Sequence, residues 1–207
     1  MRTRHLTAIA MVAMLSFANV STAAADAAKP GQSMTHMKTG AGLALTLEGL
    51  GVILYVQGGA TSSIIGDSVV APNGQYVFHI PITANKSGVQ HLGSNIVFYN
   101  TLNNSQLRLR NPVIDLAKGV VTATVPEAND QNLPILTITN AATLKPKVKS
   151  DRKAGLRTTA YAGATLSLAP GIAAAIIGAL ALPANSLPEE APFGSTDVTL
   201  YSKIAKK

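Results

Sequence analysis

The sequence predicts a mainly β protein: an antiparallel β-sandwich-like domain with one short helix before the last strand. Three observations predict this fold. Short β-favouring stretches recur at intervals of about 8–12 residues, which is typical of sandwiches and barrel-like folds. Turn residues such as Asn73-Gly74 and Lys118-Gly119 separate them. Only the stretch after Pro170 has apolar residues at helical spacing.

Alternation of apolar and polar residues defines most of the predicted strands. In residues 106–110, for example, Leu107 and Leu109 point to one side and Arg108 and Arg110 to the other. Leu43, Leu45 and Leu47 alternate in the same way at the start of the domain. The predicted strands are residues 52–56, 61–70, 75–80, 89–100, 106–110, 113–116, 120–125, 134–139, 156–168 and 197–201.

One helix is predicted between the last two strands, after Pro170. Ile172, Ile176 and Leu180 fall at i, i+4 and i+8, so they form one apolar helix face. Pro183 ends the pattern. The apolar run is shorter than the ~18–20 residues that a membrane span needs. We therefore expect a buried helix that packs on the β-sheet.

Residues 1–27 have the features of a secretory signal peptide. A basic start is followed by an apolar run over residues 6–17 and by small residues that offer cleavage after Ala25 or Ala27. An uncleaved membrane anchor is the alternative. We expect the mature protein to be secreted or associated with the cell envelope.

The rest of the chain is expected to be one domain with short tails. Residues 28–42 are polar and glycine-bearing, and they are interpreted as a flexible lead-in. Residues 43–202 form the predicted β domain, and residues 203–207 a basic tail. The chain has no cysteine, so the domain must be stable without disulfides.

The formal net charge of +7 includes Arg2 and Arg4 of the predicted signal peptide, and much of the remaining positive charge is in two basic clusters. Nucleic acid is not the expected partner, because no aromatic residues are interleaved with these basic residues and the chain is predicted to be exported. Anionic cell-envelope polymers or lipid headgroups, contacted through Lys145, Lys147 and Lys149, fit better. A solvated loop and tail is the alternative. The clusters are Lys145, Lys147, Lys149, Arg152 and Lys153, and Lys203, Lys206 and Lys207.

Several segments occur in an order that resembles a known family. They are His91-Leu-Gly-Ser-Asn-Ile-Val-Phe, Leu107-Arg-Leu-Arg-Asn-Pro-Val-Ile-Asp115, Gly119-Val-Val-Thr-Ala-Thr-Val, Thr165-Leu-Ser-Leu-Ala-Pro-Gly-Ile and Phe193-Gly-Ser-Thr-Asp-Val-Thr-Leu. Over about residues 89–200 the chain resembles the HtaA-domain family, exported β-rich actinobacterial domains of which some bind and relay haem.

The resemblance implies a haem site with a tyrosine ligand and an assisting histidine. Tyr55 is the tyrosine nearest to the implied ligand position, and His91 precedes an apolar strand as the implied histidine does. A tyrosinate can ligate ferric haem iron, and an imidazole can stabilise it through a hydrogen bond. Haem, or a haem-carrying protein, is then the expected partner.

The residues themselves do not indicate an enzyme. Gly-x-Ser-x-Gly and phosphate-binding glycine loops are absent from the sequence. The acidic residues are at predicted turns and strand ends, and the histidines have no zinc-binding spacing. His36 is expected in the lead-in, and His79 on the strand surface. Two functions remain open: a haem-binding or haem-relay protein of the envelope, or a structural or adhesive wall module without a ligand site.

Overall fold

The computed structural model describes residues 32–65 and 75–204. Predictions that concern the signal peptide, the turn at Asn73-Gly74 and the last three residues lie outside this part of the chain. Within it the fold is mainly β, with strands joined in antiparallel pairs and one short helix before the final strand, as predicted. The strands are β1 Met34–Thr39, β2 Val52–Gly58, β3 Thr61–Ile65, β4 Gln75–Pro81, β5 Val89–Gln90, β6 Ser94–Asn100, β7 Gln106–Asp115, β8 Val120–Val125, β9 Gln131–Ile138, β10 Lys147–Asp151, β11 Leu156–Leu168 and β12 Pro192–Lys203; the α-helices are α1 Leu43–Gly49 and α2 Ile172–Ala179.

The described strands form a 12-stranded sheet whose order is β2-β6-β7-β8-β9-β11-β12-β1-β4-β3. Two strands lie off this path: β10 pairs with β11, and β5 pairs with β7. Strands β2 and β3 end the path at opposite sides, yet they are consecutive in the chain. The sheet therefore curls round on itself, and its inner face encloses the apolar core.

The core combines residues from both halves of the curled sheet with residues from α2. Phe78 on β4 and Val198 on β12 are fully buried, as is Ile176 on the helix. Ile176 shares a small apolar space with Ile96, Phe98 and other core residues, so α2 packs over the sheet interior. The prediction of a buried helix between the last two strands is confirmed.

Side-chain amides hold the carboxyl end of α2. Asn100 Nδ2 donates to the carbonyl of Leu180 at 2.8 Å, and Asn103 Nδ2 donates to the same oxygen at 3.0 Å. These bonds satisfy a carbonyl that the helix leaves without a partner. They also connect the helix to the turn between β6 and β7. Within the described residues, no helix combines the length and the apolarity needed to cross a membrane.

The amino-terminal part of the domain differs from the prediction. Met34–Thr39, inside the predicted flexible lead-in, is the strand β1, paired on one side with β12 and on the other with β4. Its alternate residues Thr35, Met37 and Thr39 are buried. Short polar and basic residues between them hid this alternation in the sequence. The structure therefore replaces the lead-in by a strand over this segment.

The alternating leucines after β1 form a helix and not a strand. Leu43–Gly49 is α1, with Ala44 and Leu47 buried. Leucine, alanine and glutamate have high helix propensity, and Gly42 starts the helix from a left-handed conformation with φ 79°. Leu47 therefore reaches the core from a helical turn. The prediction of strand-like alternation for this segment was wrong.

Three other predicted elements change in extent. The strand predicted over residues 89–100 divides into β5 and β6, with His91 in the connection. The predicted basic loop contains the strand β10, which pairs with β11. The predicted tail begins within β12, since Lys203 pairs with Leu156.

Candidate functional site

Tyr55 lies on the outer face of β2. Its neighbours Val52 and Leu54 alternate with it and are buried, whereas Ile53 is 39% exposed. Tyr55 is partly exposed and is paired with Val97 of β6. Its phenol group is therefore on the side of the strand away from the core.

The surface around Tyr55 is aromatic and basic. Tyr99 pairs with Ile53 across the strands, and its hydroxyl donates to Asn104 Oδ1 at 2.6 Å. Arg108 pairs with Val97 on the other side, and its Nε lies 2.7 Å from Glu127 Oε1. We call Ile53, Tyr55, Tyr99 and Arg108 the tyrosine patch.

Glu127 holds Arg108 in place beside this patch. The Glu127 carboxylate also accepts the backbone N–H of Arg108 at 3.0 Å. Partial burial alone would raise the pKa of Glu127, but the hydrogen bonds from Arg108 outweigh it and lower the pKa below its ordinary value. Glu127 is therefore ionised at neutral pH, and the charge of Arg108 is largely balanced.

His91 has a different environment, because it is fully buried inside the curled sheet. Its Nδ1 lies 2.8 Å from the carbonyl oxygen of Pro112, and its Nε2 lies 2.7 Å from Thr35 Oγ1. A carbonyl only accepts, so Nδ1 donates to Pro112 and Nε2 accepts from the threonine hydroxyl. Burial lowers the pKa of His91, and the bond to Pro112 offsets this only in part. His91 is a neutral side chain that joins β1 to β7.

The structure does not bring Tyr55 and His91 together in one site. Tyr55 is on the outer face, whereas both ring nitrogens of His91 are bonded inside the protein. A ligand held by Tyr55 would not reach His91 without breaking the bonds to Thr35 and Pro112. Sequence reasoning missed this role because Thr35 is distant in the chain and lies in a segment interpreted as flexible.

A three-stranded ribbon at one end of the sheet concentrates positive charge. It consists of β10, the first part of β11 and the last part of β12, paired so that Lys149 lies opposite Thr158, which lies opposite Tyr201. All residues of β10 are exposed. We call this element the cationic ribbon. Its basic side chains are Lys145, Lys147, Lys149, Arg152, Lys153, Arg157 and Lys203, all exposed.

The charge of the cationic ribbon is not neutralised internally. Among residues 32–65 and 75–204, the salt bridges involve only Arg108, Arg110 and Lys118 as cations. The acidic residue of β10, Asp151, instead accepts the backbone N–H of Ala154 at the hairpin turn. The ribbon therefore presents free cations on an edge strand.

An open groove of about 590 Å³ lies on the outer face, farther along β11 and β12. Its lining combines apolar surface with hydroxyl and amide groups, which include those of Gln75, Thr165, Ser167 and Ser195. Lys38 and Glu190 are the charged residues among those that line it. Such a surface offers hydrogen bonds to a polar ligand. The alternation of polar and apolar residues indicated that these strand faces are exposed to solvent, but it did not indicate that they adjoin.

The histidines outside the core form a second arrangement that the sequence did not indicate. His36 on β1 lies opposite His79 on β4, and their Nδ1 atoms are 2.7 Å apart. His79 was expected on a strand surface, which is where it lies; His36 was expected in the lead-in. In the described part of the chain, no group of three or more histidine or carboxylate side chains is placed to hold a metal ion.

In comparisons with known proteins, the chain matches no family model, no curated protein and no solved structure. The resemblance to the HtaA-domain family therefore depends on the quoted sequence segments alone. It stays a hypothesis.

Proposed function

We propose that the protein is a non-enzymatic β module of the cell envelope that attaches to anionic envelope polymers through the cationic ribbon. The unneutralised charge on an exposed edge strand is the observation that supports this function most directly. Concentrated charge of one sign attracts polyanions and accelerates their encounter with the protein. Export by the predicted signal peptide would deliver the module to such polymers.

The spacing of the lysines suits a repeating polyanion. Lys147 and Lys149 are alternate residues of β10, so their side chains leave the same face about 6.8 Å apart. Lys145 precedes them, and Lys203 adds charge on the same face, whereas Arg157 faces the other side of the ribbon. An extended polymer with regular negative groups would meet several cations at once. The hydroxyl-lined groove along β11 and β12 supplies hydrogen-bonding groups for its uncharged parts.

Reversing the charge of the ribbon is expected to abolish retention on cell-wall preparations. The variant Lys145→Glu/Lys147→Glu/Lys149→Glu should bind at least ~10-fold more weakly, because three attractive contacts become repulsive. Retention of the unmodified protein should also fall between about 50 and 500 mM salt, since salt screens exposed charges. Sedimentation with purified wall polymer measures both effects.

A matched variant separates the ribbon from net charge. Lys86, Arg110 and Lys118 are exposed and lie away from the ribbon, so Lys86→Glu/Arg110→Glu/Lys118→Glu makes the same charge change elsewhere. It should retain most of the binding. Equal loss in both triple variants, or loss in neither, contradicts the proposed site. Anionic lipid vesicles are tested in parallel for binding to the protein. If the vesicles bind it and the wall polymer does not, lipid headgroups are the ligand.

Haem binding is the second candidate function, and the tyrosine patch favours it. The partly exposed phenol of Tyr55 is accessible to a ligand, and Ile53 and Tyr99 offer apolar contacts for a porphyrin ring. Arg108 of the patch is already in a salt bridge that largely balances its charge, so the apolar contacts and the phenol are what favour this candidate. In this form of the proposal Tyr55 ligates the haem iron, and His91 acts only by holding the fold.

A hemin titration tests the second candidate. Micromolar hemin should produce a tyrosinate-type absorption band that Tyr55→Ala and Tyr55→Phe remove, with binding weakened at least ~10-fold, because the axial oxygen ligand is lost. Tyr99→Phe, which keeps the aromatic surface, should keep the band. Absence of any spectral change in the unmodified protein excludes this function and leaves the first proposal untouched.

A further inference from the structure

His36 and His79 form a side-chain pair on the outer face of the sheet, away from both the cationic ribbon and the tyrosine patch. They are directly opposite residues of β1 and β4. Both are partly exposed, whereas their strand neighbours Thr35, Met37 and Phe78 are buried. The ring planes are nearly perpendicular, at 79°, with centroids 4.9 Å apart. The pair is therefore accessible to solvent and is held by the pairing of two central strands.

The two rings are joined by a hydrogen bond. Their Nδ1 atoms are 2.7 Å apart, so one nitrogen donates a hydrogen and the other accepts it. Partial burial lowers the pKa of His36, and the proximity of His79 lowers it further. At neutral pH the pair is therefore not doubly protonated, and neutral imidazole is the form that binds metals.

The separation of the two nitrogens matches adjacent positions around one metal ion. Imidazole nitrogens bind first-row metals at about 2.0–2.1 Å, so two ligands at a right angle lie about 2.9 Å apart. A tetrahedral pair would lie about 3.3 Å apart. The observed 2.7 Å is closer to the right-angled arrangement. Square-planar and octahedral centres have this geometry, which Cu²⁺ and Ni²⁺ adopt with nitrogen ligands.

The charges around the pair favour a cation on one side. Asp197 of β12 lies opposite His36. Its negative charge raises the pKa of His36, which partly offsets the lowering by burial and by His79. Its Oδ1 accepts the backbone N–H of Gly163 at 2.6 Å, which fixes the carboxylate beside the pair. On β3 the residue opposite His79 is Thr61, which is uncharged. Lys38 lies two residues from His36 on the same face and opposes the cation.

We propose that His36 and His79 together form a binding site for a divalent transition metal, with Cu²⁺ preferred. The hydrogen on the donating Nδ1 moves through solvent to Nε2 of the same ring, so that both Nδ1 lone pairs can bind the ion, and water completes the coordination. Copper is favoured over nickel and zinc because affinity for nitrogen sites increases toward Cu²⁺. Asp197 acts through charge, as a positioning residue near His36. A metal held here would join β1 to β4 and stabilise the sheet near its β3 end.

Titration of the full chain with Cu²⁺ alone tests the site. The chain carries His5→Ala, so that the histidine outside the described residues cannot supply a nitrogen ligand. One Cu²⁺ should bind per chain, electron paramagnetic resonance should show two nitrogen ligands, and binding should weaken as the pH is lowered into the acidic range, because protons compete with the metal for imidazole. His36→Ala and His79→Ala should each weaken binding at least ~10-fold.

The controls distinguish loss of the metal site from loss of the fold. Both histidines are partly exposed, so each variant should keep the circular dichroism of the unmodified protein. Asp197→Asn should weaken Cu²⁺ binding only a few-fold and leave the two-nitrogen signal unchanged. The site is disproved if the unmodified protein shows fewer than two nitrogen ligands, or if folded variants of both histidines bind Cu²⁺ unchanged. If a variant is unfolded, the nitrogen count in the unmodified protein decides alone.

Discussion

Replacing Ile176 by aspartate is expected to unfold the protein at room temperature. Ile176 is 1% exposed and packs among core residues that include Ile96 and Phe98. The substitution removes apolar contacts worth about 2–5 kcal/mol and adds a polar group whose burial without a partner costs about 2–7 kcal/mol. A domain of ordinary stability has only about 5–15 kcal/mol. Far-ultraviolet circular dichroism and a urea titration measure the loss.

The same helix provides the control. Ala175 lies on the exposed face of α2, so Ala175→Asp places the same charge in water. Its urea midpoint should correspond to a change within about 0.5 kcal/mol of the unmodified protein. An Ile176→Asp variant with an unchanged midpoint would mean that α2 does not pack on the sheet as described. The experiment therefore tests the position of the helix as well as the size of the effect.

The second large effect is expected at Gly194, where two central strands approach closely. Gly194 on β12 is paired with Thr39 on β1 and has φ +150°, which side chains rarely adopt. A Cβ at this position would lie 1.9 Å from the carbonyl oxygen of Lys38 and 2.7 Å from the Cα of Thr39. Because both contacts are with backbone, rotation of a side chain cannot relieve them. Gly194→Ala must therefore push β1 away from β12.

We expect Gly194→Ala to lower the free energy of unfolding by at least ~3 kcal/mol, at the upper end of overpacking effects. Chemical denaturation followed by circular dichroism measures it. Gly178→Ala on α2 is the matched control, because no atom lies within 4 Å of the added Cβ. It should raise stability by up to about 1 kcal/mol, since alanine favours the helix. Equal midpoints for both variants would contradict the close pairing of β1 and β12.

Local patterns predicted the segments in which one face is wet. In β7, Leu107 and Leu109 are buried while Arg108 and Arg110 face outward, and the alternation is visible in the sequence itself. Residues 172–180 likewise show the helical spacing of Ile176 and Leu180, both buried in the structure. These predictions succeeded because a single face of each element meets the core, so burial imposes a period on the sequence.

The same approach failed for β1, which is buried between two neighbouring strands. β1 contains Thr35 and Thr39, which are buried although they are polar, because Thr35 bonds His91 and Thr39 accepts the N–H of Tyr76. A polar residue buried with a distant partner looks like a solvent-exposed residue in the sequence. The segment was therefore interpreted as a lead-in, although it lies between β12 and β4.

The sequence by itself determined the fold class, the helix before the final strand and the positions of most strands, because burial of one face gives each element a local period in the sequence. Only the tertiary structure decided which faces adjoin. It placed His91 in the interior and Tyr55 outside, and it set His36 against His79 across 43 residues. The order and register of the strands arise from packing the whole curled sheet around one core. The order and register of the strands therefore leave no signal in the sequence of any single segment.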